Sequence, residues 1–214
     1  PAEHIMFMLL NISKGYDLYD KSVRNGEFTS VMHMKNNNTF ELSNKKILII
    51  GFGRIGRQLI KRCLGFEMEV YAYDPFVDRK TIESFGGTKI DDLNAGLKEV
   101  DIISLSVPLT KKTQNMINME KIKMMKESAV IINTSRGGVV NEKDLNEALD
   151  KKIIYGAGLD VFEKEPPDEK NPLLKNKKTI LSPHAATFTK ECKSTMSIET
   201  VQNVIDFFEN KLKK

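Results

Sequence analysis

The chain has 214 residues, 40% hydrophobic and 29% charged, with 33 Lys and Arg against 29 Asp and Glu for a net charge of +4. That balance fits one large folded domain or two small ones and excludes a mainly disordered chain. No apolar run approaches the ~20 residues of a membrane-spanning helix, and the basic surplus forms no stripe of the kind that grips nucleic acid, so neither is an expected partner.

The chain opens on Pro1-Ala2-Glu3-His4, which runs straight into an apolar stretch at 5–10. Pro at the start and Glu in the first turn suit a helix N-terminus. The pattern predicts one helix over 1–25, stopped near Gly26. Pro1 in place of Met, with an element already under way, leads us to expect that the natural chain starts further upstream. Residues 26–45 read as loop, with Asn36-Asn37-Asn38 the least structured point.

Short apolar runs then alternate with amphipathic segments. The runs are 46–50, 69–73, 102–106, 129–133, 154–159 and 179–182, with a weaker strand at 88–90. Between them, Ile55, Leu59, Ile60, Cys63 and Leu64 share one helical face. Helical patterns follow at 78–85, stopped by Gly86-Gly87, and at 92–100, 119–126 and 141–150. A last helix is predicted from about 190 to 212, with Met196, Val204, Ile205 and Phe208 as its buried face, and the Lys-rich end at 211–214 reads as solvated. Continuous apolar strands separated by helices predict an α/β fold, a doubly wound parallel sheet covered on both sides.

Two cysteines, Cys63 and Cys192, make no disulfide framework. Cys63 on an apolar helix face reads as a buried core thiol. No secretion signal flanks an apolar stretch, which points to a cytoplasmic setting.

Strand 46–50 leads into Gly51-Phe52-Gly53-Arg54-Ile55-Gly56 and then into a helix. In that context Gly51 permits the tight turn, Gly53 lets the backbone approach a pyrophosphate, and Gly56 lets helix and strand pack closely. The helix N-terminus offers free N–H groups to the phosphates. Asp74 ends the second strand, with 17 residues between it and Gly56. An acid there can bond both ribose hydroxyls and repels a 2′-phosphate, so NAD is the expected cofactor rather than NADP.

Ligands of open parallel sheets sit at the carboxyl ends of the strands. Four segments follow such ends: Val107-Pro108-Leu109-Thr110 with Thr113, Thr134-Ser135-Arg136-Gly137-Gly138, Asp160 to Pro167, and Pro183-His184-Ala185-Ala186-Thr187. Of the three histidines, His4 lies in the first helix and His33 in a polar loop, neither with an indicated partner. His184 alone follows a strand on the expected cofactor edge and is the candidate proton shuttle. Glu165 is the acid expected to hold its ring. The Arg136 guanidinium suits a bidentate grip on a carboxylate. Asp160 is placed to accept from a nicotinamide amide, and Glu163 reads as solvated. No paired Cys or His stands at metal-ligand spacing.

These motifs resemble the D-isomer-specific 2-hydroxyacid dehydrogenases, above all the phosphoglycerate dehydrogenases and their hydroxypyruvate- or glyoxylate-reducing relatives. The glycine turn with Asp74, the Val107-Pro108 segment with Thr113, Asn133 to Val140, and Gly158 to Pro166 with Ser182-Pro183-His184 carry the likeness. The resemblance implies a Rossmann-type NAD-binding domain. It also implies an enzyme interconverting a small D-2-hydroxy acid and its 2-oxo acid, such as 3-phosphoglycerate, glycerate or glyoxylate types. Catalysis would fall to Arg136, Glu165 and His184. Arg54 and Ile55 would meet the pyrophosphate, Asp74 the ribose, and Thr134 and Asp160 the nicotinamide side; Val107, Pro108 and Thr113 would complete the cofactor site. Residues 1–25 would be a linking helix, 26–185 the cofactor domain, and 186–214 a helix returning to a substrate domain mostly absent from the chain. A homodimer is implied through the first helix, although packing on its own domain accounts for the same apolar surface. Ser106 stands where many members have His, and Ala185-Ala186 where Gly is common. A second reading, an NAD-sensing interaction module like the corepressors of this fold, stays open at the level of sequence.

Overall fold

A computed structural model describes residues 1–28 and 39–209. The expectations at His33, at Asn36-Asn37-Asn38 and beyond residue 209 lie outside the described residues. Among those described, β1 (Lys46–Ile50), β2 (Glu69–Tyr73), β3 (Thr88–Lys89), β4 (Ile102–Leu105), β5 (Val130–Asn133), β6 (Gly156–Leu159) and β7 (Thr179–Leu181) form one parallel sheet in the order 3-2-1-4-5-6-7. Ile47 of β1 pairs with Val70 on one side and Ile102 on the other. The order therefore reverses between β1 and β4, and that crevice is where a ligand fits.

Alternation along β1 explains its unbroken apolar sequence. Ile47 and Ile49 join a core with Ile5, Met8 and Leu9 of α1 (Ala2–Lys14), Leu59, Ile60 and Cys63 of α3 (Arg54–Gly65) and Ile82 of α4 (Arg79–Ser84). Leu48 and Ile50 join the opposite core, which holds Leu97 of α5 (Leu93–Glu99), Ile122 of α6 (Met119–Ile122) and Leu145 and Leu149 of α7 (Glu142–Asp150). A strand buried on both faces has no polar side to show. Burial pushes the Cys63 thiol up to about 12, as expected of a core cysteine, and both cysteines are free.

Three expectations need correction. The predicted helix over 1–25 is two helices, α1 and α2 (Tyr16–Arg24), broken at Gly15. Gly15 sits at φ 61°, ψ 32°, and its N–H closes onto the carbonyls of Asn11 and Ile12. Glycine adopts this left-handed cap without the steric penalty of a Cβ. Leu64 is exposed, although it shares the α3 face with buried Leu59, Ile60 and Cys63. The last helix, α8 (Lys190–Phe208), buries none of its residues, and Met196, Val204, Ile205 and Phe208 are all exposed. At about 100° per residue Val204, Ile205 and Phe208 share an arc of about 100° with Met196 set apart, so a stripe exists, but no described part of the chain covers it.

Asp101 ties the amino ends of three strands together. Its side chain, 19% exposed, accepts from the Lys46 N–H at 2.9 Å and from Lys126 Nζ at 2.8 Å. Its carbonyl accepts from Val130 N and its N–H donates to the Lys46 carbonyl. Partial burial works to raise its pKa, but the Lys126 and Lys46 hydrogen bonds outweigh burial and hold the carboxyl below the usual carboxylate range. The unfolded chain therefore takes up this proton first as pH falls. The stabilisation is whole above the ordinary carboxylate pKa and disappears as pH drops through the lowered folded value. Asp101→Asn is expected to lose about 1–3 kcal/mol at pH 7. Urea unfolding of both proteins along a pH series should show that gap closing toward acid; a gap constant with pH overturns the assignment.

Candidate active site at the carboxyl edge of the sheet

The glycine turn is built from packing demands of unequal kind. Gly51, at φ 96°, follows β1 and donates its N–H to the Tyr73 carbonyl at 2.9 Å. A Cβ there would stand 2.4 Å from the Ser106 carbonyl oxygen, and one at Gly56 would stand 2.5 Å from that of Gly51. Both glycines are therefore required by the protein itself. Gly53 is not: a Cβ would meet nothing within 4 Å. It is an exposed position directly before the N-terminus of α3. That bare backbone, with helix N–H groups behind it, is a cradle that fits a dinucleotide pyrophosphate. The Arg54 guanidinium, 93% exposed, lies 3.4 Å from Glu199 of α8. Ile55 is half-buried beside it.

Asp74 leaves β2 and folds its carboxylate over the turn, accepting from Phe52 N and from Phe76 N, each at 2.8 Å. The acid expected to read a ribose therefore also fixes the loops around it, and each oxygen keeps a lone pair. After β4, Val107 lies against Gly51, so that a Cβ there would come 2.8 Å from Val107 Cγ1. Thr113 Oγ1 donates to the Pro108 carbonyl at 2.6 Å and accepts from Thr110 N at 2.8 Å, which pins the 107–113 loop. The Ser106 hydroxyl, at the residue that departs from the family pattern, is buried and unpartnered among the described residues.

The loop after β5 is shaped by Asn133. Its Oδ1 accepts from the N–H and hydroxyl of Ser135, and its Nδ2 donates to the Arg136 carbonyl. Thr134 is buried. A Cβ at Gly137 would fall 1.7 Å from the Phe162 carbonyl oxygen, so only glycine lets this loop meet the one after β6. The exposed Arg136 guanidinium donates one N–H to the Ser135 carbonyl at 2.6 Å. It has no bond to Glu165 or His184. The connection between them runs through the Gly137–Phe162 contact and the Phe162 N–H, which donates to Glu165 Oε1 at 3.1 Å.

Glu165 and His184 do meet: His184 Nδ1 lies 2.7 Å from Glu165 Oε2. Partial burial works to raise the Glu165 pKa, but the bonds from His184 and from the Phe162 N–H prevail and keep it below the usual range. An ionised carboxylate only accepts, so Nδ1 carries a proton and Nε2 is the ring's other proton site. The His184 side chain is 47% exposed. Its backbone is held at φ 51° by its own N–H donating to the Asp160 carbonyl at 2.7 Å.

Asp160 is fully buried. Its carboxylate accepts from the Ser182 hydroxyl, from Ala185 N at 2.8 Å and from Ala186 N at 2.9 Å. Glu163, exposed, accepts from Glu142 N at the start of α7 instead of being merely solvated. Asn133 and Ser182, quoted only as parts of motifs, thus shape the site. His4, for which the sequence indicated no partner, has one: its Nε2 lies 2.8 Å from Ser182 Oγ. A separation of 178 positions left that contact without a sequence signal. Among the described residues no cluster of three or more His, Cys, Asp or Glu could hold a metal, and no helix is long and apolar enough to cross a membrane.

A family model described as the D-isomer specific 2-hydroxyacid dehydrogenase NAD-binding domain matches residues 6–186. A D-3-phosphoglycerate dehydrogenase of Methanocaldococcus jannaschii is 39% identical over 207 residues, covering 95% of this chain and 38% of that protein. A glyoxylate reductase of Pyrococcus furiosus is 38% identical over 209 residues, covering 96% and 62%. Among solved structures, D-lactate dehydrogenase from Aquifex aeolicus, complexed with NAD and lactic acid, matches at a TM-score of 0.86 and 33% identity, over 98% of this chain and 66% of that one. The chain therefore spans 38% of the length of the phosphoglycerate dehydrogenase it resembles.

The two kinds of glycine are separable by stability alone. Gly56→Ala forces a Cβ onto a carbonyl and is expected to cost about 1–3 kcal/mol. Gly53→Ala enters open space and is expected to stay within about 0.5 kcal/mol of the parent. Thermal unfolding checks both, and equal losses would mean that Gly53 too is a packing glycine.

Proposed function

The chain belongs to the D-isomer specific 2-hydroxyacid dehydrogenase family and carries its NAD-binding domain, and we propose that it serves an enzyme interconverting a small D-2-hydroxy acid and its 2-oxo acid. The observation that carries this reading is the 2.7 Å contact between His184 Nδ1 and an ionised Glu165 on the same sheet edge as the glycine turn. The substrate class is that of 3-phosphoglycerate, glycerate with hydroxypyruvate, or glyoxylate, and the phosphoglycerate dehydrogenase and glyoxylate reductase relatives support the first and the last.

The open backbone at Gly53, with Arg54, Ile55 and the N-terminus of α3, takes the pyrophosphate. Gly51 and Gly56 give the turn its shape. Asp74 takes the ribose, and its negative charge disfavours a 2′-phosphate. Val107, Pro108 and Thr113 wall the cofactor, and Thr134 and Asp160 lie on the nicotinamide side. Bound NADH supplies the hydride. In reduction, His184 Nε2 gives its proton to the carbonyl oxygen of the oxo acid, and in oxidation it takes the proton from the hydroxyl. Glu165 keeps the ring oriented through Nδ1 and balances the charge of the imidazolium. Arg136 retains N–H groups beyond the one given to Ser135, and these hold the substrate carboxylate.

Residues 1–25 serve as the link to a substrate domain, 26–185 as the cofactor domain and 186–214 as the return. Two free cysteines suit a reducing, cytoplasmic setting. The exposed Phe7, Tyr16, Leu18, Val23 and Phe28 suit a homodimer through α1 and α2.

The direct test is NADH oxidation with hydroxypyruvate, glyoxylate and 3-phosphohydroxypyruvate, followed by absorbance, with NADPH as control. Turnover with NADH and little with NADPH is expected; no turnover by the full-length protein on any 2-oxo acid overturns the reading. His184→Ala is expected to lower kcat by about 10²–10⁴-fold with NADH affinity retained, and unchanged turnover removes His184 from the chemistry. Gly53→Ala should weaken NADH binding despite its unaltered stability. Sedimentation at micromolar concentration should show a dimer, and a monomer throughout rules out the α1–α2 interface.

A further inference from the structure

His4 reaches the catalytic edge from the opposite end of the chain. Its ring, on the first turn of α1, is 21% exposed, with Nε2 2.8 Å from Ser182 Oγ and 3.6 Å from Asp160 Oδ1. The proton inventory of this group is closed. Asp160 as a carboxylate only accepts, and its contacts are all donors: the Ser182 hydroxyl and the N–H groups of Ala185 and Ala186. The single proton of Ser182 is therefore committed to Asp160. Ser182 Oγ can then face His4 only as an acceptor, so His4 Nε2 carries a proton. The bonds run in one direction, from His4 Nε2–H to Ser182 Oγ–H to Asp160 Oδ1.

The chain of donors ends on the turn that presents His184. Asp160 holds the two N–H groups that follow His184 through its side chain, and the His184 N–H through its carbonyl. His184 stands at φ 51°, a left-handed conformation that is unfavourable for a residue with a Cβ. Such a backbone persists only when its surroundings over-determine it. A donor on Ser182 Oγ polarises that hydroxyl and strengthens its bond to the buried carboxylate. His4 has no hydrogen bond or ion pair with His184 itself.

We infer that His4 is a positioning residue of the hydride-transfer reaction: by donating Nε2–H to Ser182 it locks Asp160, and through Asp160 the left-handed turn that aims His184. The inference rests on the dehydrogenase reading above for the reaction, and on geometry alone for the tautomer.

The test is made on the full-length protein. With ring-labelled histidine, nitrogen-15 spectra should show a proton on His4 Nε2; a bare Nε2 overturns the inference. His4→Phe keeps the ring's bulk and removes the donor, and kcat is expected to fall about tenfold, as a small misplacement of a reacting group commonly costs. KM for the oxo acid should change by less than about threefold, since ground-state binding is untouched. His4→Gln, whose amide N–H can replace the donor, should recover most of the loss. Ser182→Ala should lose a similar factor, and the His4→Phe, Ser182→Ala double variant should be no worse than the poorer single one. An active wild type with an indifferent His4→Phe, a Gln variant as poor as Phe, or additive losses each overturn this inference alone. An inactive wild type overturns the dehydrogenase reading and this inference with it.

Discussion

A carboxylate without access to water has to be satisfied by donors fixed in the protein, and Asp160 at the end of β6 is such a group. The cost of stranding it is what organises the edge of the sheet. Three donors converge on it, from Ser182, Ala185 and Ala186. Those residues bracket His184, so meeting the electrostatic demand of one buried acid also decides where the candidate proton shuttle stands. The loop after β7 is shaped by a charge on β6 more than by its own sequence.

The rest of the edge follows from how the strands are ordered. The sheet reverses direction of winding between β1 and β4, which opens a crevice. The floor of that crevice is drawn so tight that the Gly51 backbone touches the Ser106 carbonyl and the Val107 side chain. The loops after β5 and β6 are drawn together in the same way, at Gly137 against Phe162. Two points without a Cβ thus bring four loops from distant parts of the chain onto one surface. Asp74, Thr113 and Asn133 then stiffen individual loops with hydrogen bonds to backbone. Side chains that read as ligand contacts in the sequence spend part of their bonding capacity on the protein.

What was legible in the sequence was whatever depends on local pattern. The run 46–50 is β1 to the residue, because a strand covered on both faces leaves a continuous apolar signature. The pairing of Glu165 with His184 was legible because both follow strands that parallel order brings side by side. The break at Gly15 was written as Lys14-Gly15, a basic last turn before a glycine cap, but the apolar residues on either side of it obscured the signal. Nothing local announces the contact of His4 with Ser182, since the first turn of a helix and the end of the last strand become neighbours only when α1 packs across β5, β6 and β7. The face proposed for α8 failed for the opposite reason. Val201, Val204, Ile205 and Phe208 recur at helical spacing, but a stripe shows only which side of a helix could be buried, and no described part of the chain covers this one.

The departure at Ala185-Ala186 has a physical reading in these terms. A glycine is demanded where a Cβ collides or where φ is positive, and neither holds at these two positions; the positive φ in this turn belongs to His184. What Asp160 takes from residues 185 and 186 is their backbone N–H, which alanine supplies as well as glycine does. Alanine also has fewer unfolded conformations to lose. The strain of the turn is therefore borne by the one residue whose side chain must point outward, while its neighbours are ordinary residues held by their amides. A turn built this way keeps His184 in place through the backbone on both sides of it, and leaves its Nε2 uncommitted to the fold.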